Sequence, residues 1–318
     1  MEKVFWYVIF TSALVLGHQE AQKRGDTVSR QNKSPVTEAS TDFAILKLMT
    51  ATSPIVYPKE SPFDLLSDAC KVDMSKQCDV SNLADGIRCD FIKTCYVVGM
   101  PSDFAIHIFS KTTNGDMPEN PNLPPGSKQM ANMGRFHTIF LPFVSDHDTY
   151  TTLTPGVAPL FFTDDLGGCD MFVATETNKG DKPIVFHTNR NSVLDPVQNL
   201  RIKGQSVDKI LKSYLGYKVV ARVHWTSLKP AEKVKIDEYL QREYTPGHPG
   251  ITLLPYNNQD GLPVGHVDKK QHFSFIGHYI AQRVWKFILK GRTSGTILHE
   301  FSVSALGVVV DVKTNRVN

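Results

Sequence analysis

The chain has 318 residues, of which 41% are hydrophobic and 21% are charged, and its formal net charge at neutral pH is +3. These values are typical of a globular protein with enough apolar residues to build a core. The small net charge argues against a protein that binds nucleic acid or an anionic membrane surface. The sequence also contains no long basic run and no heptad pattern.

The N-terminus has the pattern of a secretory signal. A short charged start, Met1–Lys3, precedes an apolar run from Val4 to Leu16 that is too short to span a bilayer comfortably. We therefore predict a signal peptide over residues 1–18, with a membrane anchor as the alternative, which no second apolar span supports. Residues 19–42 are polar and predict a disordered leader or pro-segment. Residues 43–318 are predicted to form a single α+β domain.

Strands and helices alternate along the predicted domain. Helices are predicted over Ser40–Met49, Ser61–Ala69, Ser206–Leu215 and Lys229–Tyr244, with Leu215 and Val234 among the inward-facing residues. Strand patterns occupy Thr94–Val98, Ala105–Phe109, Arg135–Val144, Leu160–Thr163, Asp170–Thr175, Pro183–Asn189, Tyr217–His224, Ile251–Leu254, His272–Tyr279, Val284–Leu289, Thr296–Val303 and Gly307–Val312. This order predicts an α+β fold in which a sheet or sandwich is covered by helices.

The five cysteines divide into a group of four and a single residue, Cys169. In an exported chain the four are expected to form two disulfides, whose connectivity the sequence leaves open. Zinc binding is the weaker alternative, because the spacing contains no close pair of ligands. An odd cysteine in such a protein is a candidate for reactivity, and the alternative is a buried, inert thiol. The group of four consists of Cys70, Cys78, Cys89 and Cys95.

The segment Pro159–Asn189 predicts a hairpin that carries a cysteine and a histidine. Alternate residues of a strand share a face, so the turn decides which side chains meet. If the loop is Asn178–Gly180, Cys169 lies opposite Asn189 and diagonal to His187 on the same face.

A Cys–His pair on one face is suited to nucleophilic chemistry. The thiolate is the nucleophile, and an adjacent imidazole can accept its proton. Gly167 and Gly168 allow a sharp turn before Cys169, which would present backbone N–H groups to an oxyanion. His187 is the predicted base, and the hydroxyl of Thr163 could hold its ring or complete the anion pocket.

The order of these residues resembles the signature of bacterial glutamine deamidases, a family that includes the catalytic domain of cytotoxic necrotizing factor and the chemotaxis receptor deamidase. In that family a threonine precedes the nucleophilic cysteine at the same spacing, and a histidine ends the next strand of the hairpin, as His187 does here. The toxins usually have serine at the place of Gly167. The resemblance covers this hairpin region alone, where the chain reads Thr163-x-x-Leu166-Gly167-Gly168-Cys169.

The resemblance implies an antiparallel β-sandwich with helices on the outside. It also implies an enzyme that converts a glutamine side chain of a protein to glutamate, or transfers it to a small amine, with Cys169, His187 and Thr163 as catalytic residues. Family targets include small GTPases and a translation helicase. We expect no cofactor, metal, nucleic acid or stable membrane anchor, and a monomer. Export together with this activity predicts a secreted toxin or effector that acts inside a target cell.

Other interpretations remain open at this point. The chain could be a secreted binding protein in which Cys169 belongs to the core, or another thiol hydrolase such as a cysteine protease or acyltransferase. A metal site is disfavoured because the histidines lack the spacing of ligand pairs; they are His248, His266, His272, His278 and His299. Asn189 and Asp195 could orient His187. Structural or solvated roles are nevertheless expected for Asp164, Asp165, Lys179, Lys182, Asn189, Arg190 and Asp195.

Overall fold

The computed structural model describes residues 49, 55–56, 78–79, 86–89, 91–100, 103–110, 132–163, 165–190, 192–262, 270–280 and 283–315. The chain divides into two units, Met1–Pro35 and Val36–Asn318, and every described residue belongs to the second. The predicted signal peptide, the predicted leader, the predicted helix over Ser61–Ala69 and Cys70 lie outside the described residues, as does all of the predicted helix over Ser40–Met49 except Met49.

The described residues form a strand-rich α+β structure. The strands are β1 Ile55–Val56, β2 Cys78–Asp79, β3 Ile87–Cys89, β4 Phe91–Met100, β5 Asp103–Ser110, β6 Asn132–Leu141, β7 Asp148–Thr152, β8 Leu160–Thr163, β9 Asp170–Glu176, β10 Ile184–Thr188, β11 Tyr217–Trp225, β12 Thr252–Tyr256, β13 Phe273–Ile280, β14 Val284–Gly291, β15 Ile297–Val303 and β16 Val309–Thr314. Each predicted strand overlaps one of these, so the strand predictions are confirmed apart from their ends.

The strands belong to two sheets. The first has the order β1-β5-β4-β6-β8-β13-β14-β15-β16, and the second has the order β12-β11-β9-β10-β7-β3-β2. Both sheets are mixed, because β1/β5 and β6/β8 are parallel in the first and β11/β12 and β3/β7 are parallel in the second. The predicted α+β class is confirmed, whereas the antiparallel arrangement of its sheets is wrong, because each sheet contains parallel pairs.

The parallel pair β6/β8 has a simple cause in the chain path. Parallel neighbours need a crossover connection, and here the chain leaves the first sheet after β6, adds β7 to the second sheet and returns as β8. The sequence analysis missed β7 because its residues, DTYTT, lack an apolar alternation. This excursion brings the end of β8 next to the second sheet, where β9 and β10 lie.

Alternate residues of the second sheet enter two different hydrophobic clusters. In β9, Met171 and Val173 join the larger cluster, which also contains Phe161 and Phe287 of the first sheet. Phe172, from the opposite face of β9, joins a second cluster. That second cluster adds helical side chains to the sheet residues, among them Leu200, Val207, Ile210 and Ile236.

Two α-helices are described, and both differ from their predicted bounds. Helix α1 spans Pro196–Leu211, so it begins well before the predicted start, and Leu215 lies beyond it and is 90% exposed. Asp195 caps α1 by accepting a hydrogen bond from the Gln198 backbone N–H at 2.7 Å. The structural role expected for Asp195 is confirmed. Pro196 in the first turn of α1 is a residue that favours a helix start, and the predicted helix did not take it into account.

Helix α2 spans Pro230–Tyr239 and continues as a π-helical turn, Leu240–Tyr244, and a 3-10 turn, Thr245–Gly247. Val234, which was predicted to face inward, is 55% exposed. Neither described helix has both the length and the apolar character needed to cross a bilayer.

The β9/β10 hairpin has the register that the parity argument requires. Thr188 pairs with Asp170 and His187 pairs with Met171. One place further along, Asn189 therefore faces Cys169, and His187 shares the face of Cys169 because strand residues alternate. The predicted register is confirmed.

The hairpin turn packs against the backbone of the β15/β16 connection. The N–H of Asn178 donates to the carbonyl of Leu306 at 3.1 Å, and the N–H of Gly180 donates to that of Ala305 at 3.1 Å. A Cβ placed on Gly180 would lie 1.8 Å from the carbonyl oxygen of Ser304. Glycine at this position therefore allows the hairpin turn to pack closely against the β15/β16 connection.

We expect Gly180→Ala to lower the free energy of unfolding by about 2 kcal/mol or more, because a methyl group there must displace backbone. Gly156→Ala is the matched control, since a Cβ at Gly156 would meet no atom within 4 Å; its effect should stay within about 0.5 kcal/mol. Urea denaturation measures both values. Equal midpoints for the two variants would contradict this role of the turn.

Candidate active site

Three predicted catalytic residues converge where β8 of the first sheet meets the hairpin of the second. Thr163 ends β8, Cys169 immediately precedes β9, and His187 lies in β10. All three are buried, with exposed fractions of 2%, 4% and 1%. The Thr163 hydroxyl and His187 Nδ1 are hydrogen-bonded at 2.6 Å. Thr163 and His187 are therefore in direct contact across the two sheets, whereas no hydrogen bond joins His187 to Cys169 among the described residues.

The hydrogen bonds of Thr163 define the state of the imidazole. Its hydroxyl also lies 3.2 Å from the Leu141 carbonyl oxygen, which can only accept a hydrogen bond. Both bonds are made when Thr163 donates to Leu141 and His187 Nδ1–H donates to Thr163. In that tautomer, the lone pair of the ring is on Nε2. Among the described residues, Nε2 of His187 is buried and has no hydrogen-bond partner, so it is free to accept a proton.

Cys169 carries a free thiol held by a neighbouring amide. Asn189 Nδ2 donates to Cys169 Sγ at 3.2 Å, while Asn189 Oδ1 accepts a hydrogen bond from the Asp146 backbone N–H at 3.2 Å. The second bond orients the amide, because an N–H donor requires the oxygen on its side. The predicted hairpin placed Asn189 opposite Cys169, and a structural role was expected for it with His187 as the alternative partner. In the structure its side-chain amide contacts the sulfur of Cys169.

Both the sulfur and the imidazole are neutral at rest. Burial raises the pKa of the Cys169 thiol, and the nearby positive charge of Lys203 and the Asn189 hydrogen bond offset only part of that effect. Burial, together with Lys203, lowers the pKa of His187 to about 3. The site therefore holds a thiol and a neutral imidazole rather than a preformed thiolate–imidazolium pair.

The glycine turn before the cysteine is anchored by two side chains that the sequence analysis did not identify. Lys203 Nζ donates to the carbonyl oxygen of Gly168 at 2.8 Å, and the Tyr256 hydroxyl donates to that of Cys169 at 2.7 Å. Gly168 has φ +151°, a backbone conformation that residues with a Cβ rarely adopt. With both carbonyls held, the position of the sulfur is set by α1 and β12 as well as by its own strand.

A buried charge cluster supports this turn. The Asp170 carboxylate pairs with Lys203 Nζ at 2.9 Å and with Arg222 at 2.7 Å, and all three side chains are buried. Burial alone would raise the pKa of Asp170, but the two cations outweigh it and hold that pKa below its usual value. Arg222 also lies over the rings of Phe172 and Tyr244.

A cleft gives access to the sulfur. Its volume is about 220 Å³, and its lining consists of Phe143, Asp165, Gly167, Gly168, Cys169, Asn189 and His272. A second cleft of about 280 Å³ also borders the glycine turn and is lined by Lys203, Arg190 and Trp225, among others. In the described part of the chain, no group of three His, Cys, Asp or Glu side chains is arranged to hold a metal ion.

Two polar residues of this region differ from expectation. Arg190 was expected on a solvated face, but it is partly buried and pairs with the buried carboxylate of Asp148. Asp165 does not act as a loop or cap residue alone, because its carboxylate pairs with His272 and Arg292 at the cleft. Both residues gained partners distant in sequence, which local patterns do not reveal.

The raised pKa of Cys169 predicts how the thiol reacts with iodoacetamide. We expect slow labelling at neutral pH and a rate that rises through a midpoint above the ordinary thiol value of about 8.5, because only the thiolate reacts. Peptide mass spectrometry across that range measures the rate at Cys169. A cysteine in an unfolded peptide of the same local sequence is the control. A fast plateau at neutral pH would instead reveal a preformed thiolate.

No protein-family model matches the chain, and no curated protein is significantly similar to it.

Proposed function

We propose that the protein is a cysteine amidohydrolase that deamidates a glutamine side chain of another protein. The observation that carries this proposal is the 2.6 Å hydrogen bond between Thr163 and His187 Nδ1, which leaves Nε2 free as an acceptor. The free thiol of Cys169 lies on the same face of the hairpin and opens to a cleft. A nucleophile, a base and a residue that orients the base are the parts that acyl transfer requires.

The reaction would proceed in two balanced steps. Sulfur attacks the amide carbon while the thiol proton passes to His187 Nε2, and the resulting imidazolium gives that proton to the leaving nitrogen. Ammonia departs and a thioester remains. Water then attacks the thioester, with His187 again as base, and yields glutamate and the free thiol. Because burial disfavours a charged His187, the imidazolium is a strong acid that readily protonates ammonia's nitrogen.

Groups that could stabilise the oxyanion lie beside the sulfur. Gly167, Gly168 and Asn189 line the same cleft as Cys169, and we propose the backbone N–H groups of the turn and the Asn189 side-chain amide as the donors. Fixed donors of this kind stabilise the negative oxygen of a tetrahedral intermediate. The resemblance to glutamine deamidases adds the substrate class, a glutamine on a protein such as a small GTPase or a translation factor.

We also propose that the two sheets pack face to face as a β-sandwich with both helices outside. The shared larger cluster, which contains Phe161 and Met171 from opposite sheets, supports this arrangement. Secretion remains the proposed localisation of the protein. A Cys78–Cys89 disulfide is the proposed pairing, since the two residues face each other across the antiparallel β2/β3 pair.

Deamidation is tested directly by mass spectrometry. The full chain is incubated with a eukaryotic cell lysate in normal and in heavy-oxygen water, and peptides are compared with those from the Cys169→Ala variant. We expect specific glutamines to gain about one dalton in normal water and about three in heavy-oxygen water, with no backbone cleavage, because hydrolysis inserts one solvent oxygen. New peptide termini would instead indicate a protease.

A secreted binding protein without catalysis is the second candidate. The observation that favours it is the burial of Cys169, which raises the pKa of the thiol and would suit a core cysteine. The two candidates differ in one measurable respect. If Cys169 is a core cysteine, His187 does not assist it, and His187→Gln should leave the reactivity of Cys169 toward glutamine-like electrophiles unchanged. If the protein is an enzyme, the same variant should react more slowly.

A further inference from the structure

A second histidine stands at the entrance of the same cleft. His272 lines it together with Cys169, and its side chain is 51% exposed. Its Nδ1 lies 3.3 Å from Asp165 Oδ2, and the other oxygen of Asp165 pairs with Arg292. We call His272, Asp165 and Arg292 the rim cluster.

The backbone holds the rim cluster against the glycine turn. Leu166 and Phe273 exchange hydrogen bonds of 3.0 and 3.1 Å between their backbones, and the Arg292 N–H donates to the His272 carbonyl at 2.9 Å. A Cβ on Gly167 would lie 3.1 Å from the His272 ring, which is tighter than normal contact. The ring therefore occupies space that is available because residue 167 has no side chain.

The cluster presents a positive group to the cleft. Although burial alone would raise the pKa of Asp165, hydrogen bonds and charge from His272 and Arg292 lower it, so the carboxylate is ionised. The bond to Asp165 raises the pKa of His272. With Nδ1 directed at Asp165, the half-exposed ring has Nε2 left to bind another molecule. Among the described residues, the Asp165 carboxylate pairs with both His272 and Arg292.

We propose that His272 is a specificity residue whose imidazolium binds a carboxylate, the side chain of an Asp or Glu that lies next to the target glutamine of the substrate protein. This inference rests on the proposed deamidase function. A charge-assisted hydrogen bond at this position would favour glutamines with acidic neighbours. Cys169, further inside the same cleft, would receive the glutamine itself.

Two peptides test this preference, one with its glutamine between two glutamates and one with its glutamine between two serines. We expect kcat/KM of the unaltered protein to be about tenfold higher for the acidic peptide at a pH near 6. In His272→Gln the ratio should approach one. His248→Gln is the matched control, because His248 also bonds a carboxylate, Asp208 at 3.0 Å, but lines neither cleft.

The preference should depend on the charge of both partners. The imidazolium and an ionised glutamate are both required, so the ratio should be highest between the ordinary pKa of glutamate, about 4.3, and the raised pKa of His272, and it should fall as pH rises through the latter. Among the described residues, the charged groups that face His272 are Asp165, Arg292 and Lys270, and Cys169 is a further titratable group of the cleft. A ratio of one in the unaltered protein, or an equal drop in His248→Gln, would overturn the inference.

Binding can be followed without turnover. The His272 ring proton resonance, assigned by its loss in His272→Gln, is recorded by NMR in Cys169→Ala protein while either peptide is added. We expect the acidic peptide to shift this resonance and the serine peptide to leave it in place. Absence of any shift would refute the role of His272. Failure to deamidate either peptide, with the shift present, would refute the proposed deamidase activity for these substrates and retain the binding site.

Discussion

Replacing Cys169 with alanine should reduce deamidation by at least about a thousandfold, because the covalent step has no other nucleophile to use. Cys169→Ser should fall almost as far, since a serine hydroxyl is far less acidic than a thiol and the nearby base is weak. The measurement is the rate of mass gain at a glutamine found to be modified by the unaltered protein. Turnover within tenfold of normal in either variant would exclude Cys169 as the nucleophile.

The fold must be checked in the same variants, because Cys169 is only 4% exposed and belongs to the larger hydrophobic cluster. Removing one buried sulfur should cost about 1 kcal/mol, which a stable domain tolerates. Thermal unfolding followed by circular dichroism provides the control. A cooperative transition close to that of the unaltered protein assigns the loss of activity to chemistry.

Asp170→Asn should lower the free energy of unfolding by about 3–5 kcal/mol, because it leaves two buried cations, Lys203 and Arg222, without their counter-ion. The matched control is Glu176→Gln, which breaks the exposed pair with Lys179 and should cost less than about 1 kcal/mol. Urea denaturation at neutral pH compares them. Similar losses for both variants would contradict a structural role for the buried cluster.

The same cluster predicts an acid dependence. Asp170 has a pKa below its unfolded value, so its contribution to stability is complete above the ordinary carboxyl range and is lost as pH falls through the lower, folded pKa. In Asp170→Asn this part of the pH dependence should disappear. Lys203 also bonds the Gly168 carbonyl, so a destabilised cluster should increase the mobility of the turn that carries the sulfur.

The hairpin and its reactive residues could be predicted because they depend on local geometry. The two-residue period of a strand and the position of the turn at Gly180 determine that Cys169 and His187 share a face. The position of Thr163 at the end of a strand before the glycine turn predicted that its hydroxyl could contact the imidazole, and the structure has this hydrogen bond. Asp195 and Pro196 also marked the start of α1, although the apolar spacing led to a later start.

The remaining features depend on contacts between distant segments. Lys203 is in a helix and Arg222 is in a strand. No local sequence pattern indicates that both side chains contact Asp170. His272 lines the same cleft as Cys169 because its neighbour Phe273 pairs with Leu166, a residue distant in sequence. The parallel pair β6/β8 arises because the chain passes through β7 in the second sheet between these two strands, and β7 has no clear strand pattern in the sequence.

The most direct test of the proposed chemistry uses a chloromethyl ketone analogue of the glutamine side chain, which alkylates a thiolate as the sulfur displaces chloride. The full chain and its His187→Gln variant are treated at neutral pH, and the labelled residue is identified by peptide mass spectrometry. We expect one label on Cys169 and a rate at least about tenfold slower in His187→Gln, because the histidine removes the thiol proton. Equal rates in the two proteins, or no label on Cys169, would contradict it.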